Sequence, residues 1–77
     1  MKYLVIEIQT HADGQVGNIV TAYDDRNTAE SVYHSILASA AVSELACHSA
    51  LIVTEEAQVI AGARYKHEQP TPEPDGE

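Results

Sequence analysis

The sequence has no tryptophan and no phenylalanine, and its only aromatic residues are Tyr3, Tyr23, Tyr33 and Tyr65. It has a single cysteine, Cys47, and its only bases besides histidine are Lys2, Arg26, Arg64 and Lys66. Each scarcity excludes something. A lone cysteine permits no internal disulfide, so the fold must stand without that staple. Four scattered bases against 12 acids exclude direct nucleic-acid binding through phosphate contacts, which needs clustered Lys and Arg. No apolar run approaches the roughly eighteen residues of a membrane helix, so no membrane partner is expected. The first residues are not a basic region followed by a long apolar stretch, and a soluble cytoplasmic protein is the expectation.

What is present fits one domain. The chain has 77 residues, 44% of them hydrophobic, and a formal net charge of −8. Half of that charge sits at the end of the chain, where Glu68, Glu73, Asp75 and Glu77 occur with no Lys or Arg. The body holds eight acids and four bases, a net of −4. Acidity of that degree serves solubility more than mimicry of DNA. Pro70, Pro72 and Pro74 interleave with the terminal acids. Residues 68–77 therefore read as a disordered acidic Pro-rich tail, and residues 1–67 as a single α+β domain.

Hydropathy patterning predicts the elements of that domain. Residues 2–9 alternate as a strand, with Leu4, Ile6 and Ile8 on one face and Tyr3, Val5 and Glu7 on the other. Asp13-Gly14 marks a turn, because glycine accepts positive φ. Residues 16–23 then form the second strand of a hairpin. Asn27 is a candidate N-cap with Glu30 three residues on, as in a capping box. Ala29, Val32, Tyr33, Ile36, Leu37 and Ala40 follow at helical spacing, which predicts a helix over 28–42. Residues 50–54 and 58–66 read as a second pair of strands joined by Glu55-Glu56-Ala57, a turn without the usual Gly or Asn. Gly62 marks a bulge or a close-packing point. The order is ββαββ. An antiparallel sheet of order 2-1-3-4 with one helix on one face is preferred; the alternative places strand three beside strand two.

Two features predict a homo-oligomer. Both faces of the sheet carry apolar residues, whereas one helix covers one face only. Tyr3 and Val5 are the expected contacts on the sheet. On the helix, Ser31, Ser35 and Ser39 form a ridge of small side chains that either admits another backbone or is a small solvated face.

The chemistry-bearing residues are few. His11, His34, His48 and His67 show no metal-ligand spacing, and no metal or cofactor is expected. Cys47-His48 places a nucleophile beside a base, but adjacent residues seldom reach a catalytic geometry, and a half-buried structural cysteine is the better reading. Asp24 and Asp25 precede the helix, where negative charge suits the dipole. Arg26, Arg64 and Lys66 are candidate contacts for an anion such as a nucleotide phosphate, with Tyr65 as a stacking residue.

The residues Tyr3-Leu4-Val5-Ile6-Glu7-Ile8-Gln9, the Ala12-Asp13-Gly14 turn, the Ala29-Glu30-Ser31-x-Tyr33-His34 helix start and the Ala40-Ala41-Val42-Ser43 helix end carry a resemblance. Over roughly residues 3–67 the chain resembles a group of small uncharacterised proteins of phages and prophages of gut Firmicutes. The resemblance implies a phage origin and brings no catalytic residues. The expected function is that of a non-enzymatic, homo-oligomeric accessory protein acting in the host cell against a defence component. It would inhibit a host defence protein or sequester a small nucleotide signal. A minor phage structural or assembly protein and a small enzyme of unknown chemistry are the alternatives.

Overall fold

The computed structural model describes residues 1–67; the expected tail, 68–77, lies outside them. Strands β1 (Tyr3–Thr10) and β2 (Val16–Tyr23) form a hairpin, followed by helix α1 (Arg26–Ala40) and a second hairpin of β3 (Cys47–Thr54) and β4 (Val59–Lys66). All neighbours are antiparallel and the sheet order is β2-β1-β3-β4. The preferred topology of the sequence is therefore the observed one. Its cause is the return path of α1, which starts beside Tyr3 and carries the chain back to the Thr10 end of β1, so that β3 runs antiparallel to β1.

Local chemistry closes the connections. Gly14 takes φ 92°, its N–H donates to the His11 carbonyl, and the N–H of His11 donates to the carbonyl of Gln15. At the other end of the sheet Ala57 takes the same left-handed region, with φ 68°. Thr54 holds that turn: its hydroxyl accepts from the N–H groups of Glu56 and Gln58, and its carbonyl accepts from Ala57. The strand β4 carries a bulge at Ile60, because Ile52 faces Ala61 while Val53 faces Val59. The bulge thus falls two residues before Gly62, which stays in register opposite Leu51.

The helix starts earlier than its spacing predicts. Asp25, in extended backbone, is the N-cap, and its carboxylate accepts from the Thr28 N–H at 2.9 Å and the Thr28 hydroxyl at 3.0 Å. Asn27 lies inside the first turn, and Glu30 is engaged by Arg26 at 2.9 Å instead of closing a capping box. The helix ends at Ala40, where the Nε2–H of His67 donates to the Ala40 carbonyl at 2.7 Å. The carbonyl fixes that tautomer, since it can only accept, and a β4-end histidine so satisfies an orphan group of the last turn.

The core lies between α1 and one face of the sheet. Val5, Ala29, Tyr33, Ala50 and Ile52 are buried together, with Tyr3, Tyr23, Ile36, Leu37 and Ile60 packed around them. Most buried members are small, and Ile52 is the largest side chain fully removed from water. Small residues let the helix sit close to the sheet, but they bury little area.

Ala57 offers a test of the turn. A non-glycine residue in the left-handed region costs about 1–2 kcal/mol, and glycine there forfeits roughly 0.5–1 kcal/mol of chain entropy. Ala57→Gly should therefore stabilise the domain by about 0.5 kcal/mol, raising Tm by a few degrees, and Ala57→Val should lower it. Thermal melts of the pair check the sign.

Candidate functional site

Antiparallel register sorts every strand residue onto one of two faces. The helix side carries Tyr3, Val5, Glu7 and Gln9 of β1 with Thr54, Ile52, Ala50 and His48 of β3. Val5 is 2% exposed beneath Ala29. This corrects the expected sheet contacts: Tyr3 and Val5 belong to the face that α1 covers, Val5 in the core and Tyr3 packed against it, so neither lies on the uncovered face. The residues left over are Leu4, Ile6 and Ile8, the opposite set of the same alternation.

At one end of the helix side the apolar pattern gives way to a polar cluster. The Nε2–H of His48 donates to Glu7 Oε2 at 2.6 Å, and the Gln9 amide donates to the same oxygen at 2.9 Å. The His48 side chain is 6% exposed and that of Glu7 17%. Burial pushes the Glu7 carboxyl up, but the bonds from Gln9 and His48 and the attraction of His48 together outweigh it and hold it below the ordinary carboxylate value. A carboxylate-oriented imidazole is half of a general-base constellation. The other half is missing among the described residues. Cys47 and Ser49 flank His48 in sequence and so point to the opposite face. His48 Nδ1 is buried and has no hydrogen-bond partner among the described residues. No pocket opens on the pair, and the described residues contain no cluster of three metal-ligating side chains. The arrangement ties β1 to β3 beneath the helix terminus.

The candidate anion contacts are dispersed. Arg26 sits at the N-terminus of α1, beside the end of the sheet where β2 and β3 finish, and is paired with Glu30. Arg64 and Lys66 lie at the far end, opposite Ser49 and Cys47, on the face away from the helix. Tyr65 lies between them in sequence but on the helix side, opposite His48. Arg64 and Lys66 are thus brought together, as their spacing implies, and Arg26 and Tyr65 are not with them. Ser31, Ser35 and Ser39 are all exposed along the outer side of α1.

The face without a helix is the largest coherent feature. Leu4, Ile6 and Ile8 of β1 stand beside Leu51 and Val53 of β3, with Val16 and Val20 of β2 on one flank and Val59 of β4 on the other. Val16 is 61% exposed, Val20 50% and Val59 65%. Gly62 faces Leu51 and adds no side chain, so the surface is low there. The polar members are few: Asn18, Ser49 and Thr10, with Arg64 and Lys66 at one corner. In comparisons with known proteins, the chain matches no family model, no curated sequence and no solved structure.

The Glu7 pair makes a pH prediction. A carboxyl whose folded pKa is depressed stabilises the fold above its ordinary value, and the gain disappears as the pH falls through the folded value. Stability should therefore decline below about pH 4.5, the ordinary value for Glu7. Glu7→Gln keeps an acceptor for His48 but no charge. It should cost about 1–3 kcal/mol at pH 7 and flatten the decline in acid. Urea titrations from pH 3 to pH 7 compare the two, and superimposable slopes would show that Glu7 is not held ionised by its donors.

Proposed function

We propose that the protein is a non-enzymatic interaction module that works as a homo-oligomer and engages a protein target. The observation that carries this reading is the open sheet face, whose apolar side chains no other element among the described residues covers. Strands about 4.8 Å apart with a rise of about 3.3 Å per residue give four eight-residue strands a face of roughly 500 Å2. Burial of two such faces removes about 1,000 Å2 in total, the lower bound for a specific interface. A face of that size lies toward the upper end of the patches that a typical monomer leaves in water, which are often functional. A second copy is the natural cover, since it supplies an equal area of the same character.

Stacked in this way, the oligomer keeps α1 and its Ser31, Ser35 and Ser39 ridge outermost, available to a partner. A protein target is favoured over a nucleotide, because Arg26 is separated from Arg64 and Lys66 by the length of a strand. The resemblance to small phage and prophage proteins points the proposal to a host defence protein as the target class.

Sedimentation equilibrium at micromolar concentration should return a mass about twice 8.3 kDa. Leu51→Lys, in the middle of the open face, should return the monomer mass with the helical and strand circular dichroism retained. A wild-type monomer throughout would overturn the assembly reading. Calorimetry with a panel of cyclic nucleotides should give no heat; a saturable signal would move the target from protein to nucleotide.

A further inference from the structure

The geometry points to one arrangement of the second copy. The two open faces stack with the twofold axis running across the strands, so that each β3–β4 hairpin lies antiparallel over its counterpart. Arg64 and Lys66 of one protomer then meet the Glu55-Glu56 turn of the other. This inference rests on the homo-oligomer reading and adds its orientation.

The argument begins with the charge layout of the hairpin. The two bases stand at the end of β4, and the two acids stand in the turn at its beginning. Arg64 and Lys66 lie about 17 and 23 Å beyond the start of β4 at roughly 3.3 Å per residue, so they do not pair with the turn acids within one chain. Arg64, Lys66 and Glu56 form no ion pair among the described residues, and all are exposed. The Glu55 carboxylate accepts from the backbone N–H of Lys2, and the Lys2 ammonium is itself paired with Asp24.

Two sheets that pack face to face keep their strands within about 30° of alignment. A twofold axis between them then runs either across the strands or along them. With the axis across the strands, β4 lies over its own copy in reverse, and both bases of each protomer face both acids of the other. With the axis along the strands, β4 lies over β2 without reversal. Arg64 and Lys66 then face only Asp13 of the first hairpin, while Glu55 and Glu56 approach Asp24 beyond the end of β2. The first arrangement matches the two bases of each protomer with two acids and leaves Asp13 opposite Asp24, which Lys2 already pairs; the second matches them with one acid and gathers Glu55, Glu56 and Asp24 together. Unpaired like charges across an interface are penalised strongly enough to select a register.

The single cysteine reads the orientation directly. Cys47 starts β3 on the open face, about 12 Å from the middle of the strand. With sheets roughly 10 Å apart, the axis across the strands separates the two Cys47 positions by about 25 Å, and the axis along them by about 11 Å. A spin label on Cys47, measured by pulsed dipolar spectroscopy, should report the longer distance. In sedimentation, Arg64→Glu should weaken self-association about tenfold or more, and Arg64→Glu with Glu56→Arg should restore it to within roughly threefold of wild type. Both variants change exposed residues, and retained melting curves confirm that they fold. A wild-type dimer with the shorter label distance, or rescue of Arg64→Glu by Asp13→Arg in place of Glu56→Arg, overturns the orientation and leaves the homo-oligomer intact. A wild-type monomer overturns both.

Discussion

One helix against four strands is the constraint on which the rest of this structure depends. The helix covers the middle of a single face, and the side chains beneath it are chosen for closeness. Ala29 of α1 meets the sheet without holding it away, in one cluster with Ala50 and with Ala61 packed against it. Tyr33 and Ile52 fill what remains. The bulkier aliphatic residues, Leu4, Ile6, Ile8, Leu51 and Val53, project from the other side of the same two strands. Among the described residues, small side chains thus lie where helix and sheet meet, and half-buried leucine, isoleucine and valine lie on the other face of the two central strands. At roughly 25 cal/mol per Å2, the open face holds hydrophobic free energy that the isolated fold does not collect.

The polar end of the covered face follows from the same geometry. Alternation along β1 places Tyr3, Val5, Glu7 and Gln9 in one row, so the row passes from apolar to polar toward its far end. The helix stops where that change occurs, at Ala40, and the chain supplies donors for what is left. His67 reaches the last helical carbonyl, while His48 and Gln9 converge on Glu7. A buried carboxylate in this position would be costly alone, and with two donors it becomes a fastener between the two central strands. It also explains why β3 starts at Cys47. The polar stretch Cys47-His48-Ser49 carries no strand signal by itself, yet its backbone pairs with Ile8, Gln9 and Thr10 and its histidine pays for Glu7.

The legible parts of the fold are those governed by local chemistry. Asp13-Gly14 announces its turn because few other pairs tolerate that backbone, and period-two alternation announces β1, β2 and the apolar half of β3. The strand order also follows, since a helix returning along a hairpin leaves few places for the next strand. Other features depend on partners distant in sequence. Asp25 outcompetes Asn27 as the N-cap because Thr28 offers it both a backbone and a hydroxyl donor. The bulge at Ile60 comes from fitting β4 against β3, and no glycine at that position signals it. Parity alone divides β1 into two rows but does not say which row the helix takes. That choice sends Tyr3 and Val5 inward and leaves Leu4, Ile6 and Ile8 outside, opposite to the contacts expected from two apolar faces. The separation of Arg26 from Arg64 and Lys66 is likewise a matter of strand direction, which spacing along the chain cannot convey.

Charge and apolar area divide their roles on the open face. The body carries a net charge of −4, so two copies repel at long range, and ion pairs at an exposed rim contribute only about 0–1 kcal/mol each. Electrostatics cannot therefore be the source of association. In the proposed dimer the apolar centre would supply the attraction, but it is nearly featureless: leucine, isoleucine and valine stack in one direction about as well as in the other. A surface of that kind associates without choosing an orientation unless its border chooses for it. In the proposed orientation a reversed copy brings the corner bases to the turn acids. Their separation along β4 removes the competing intrachain pairing, so in that dimer they would set the register.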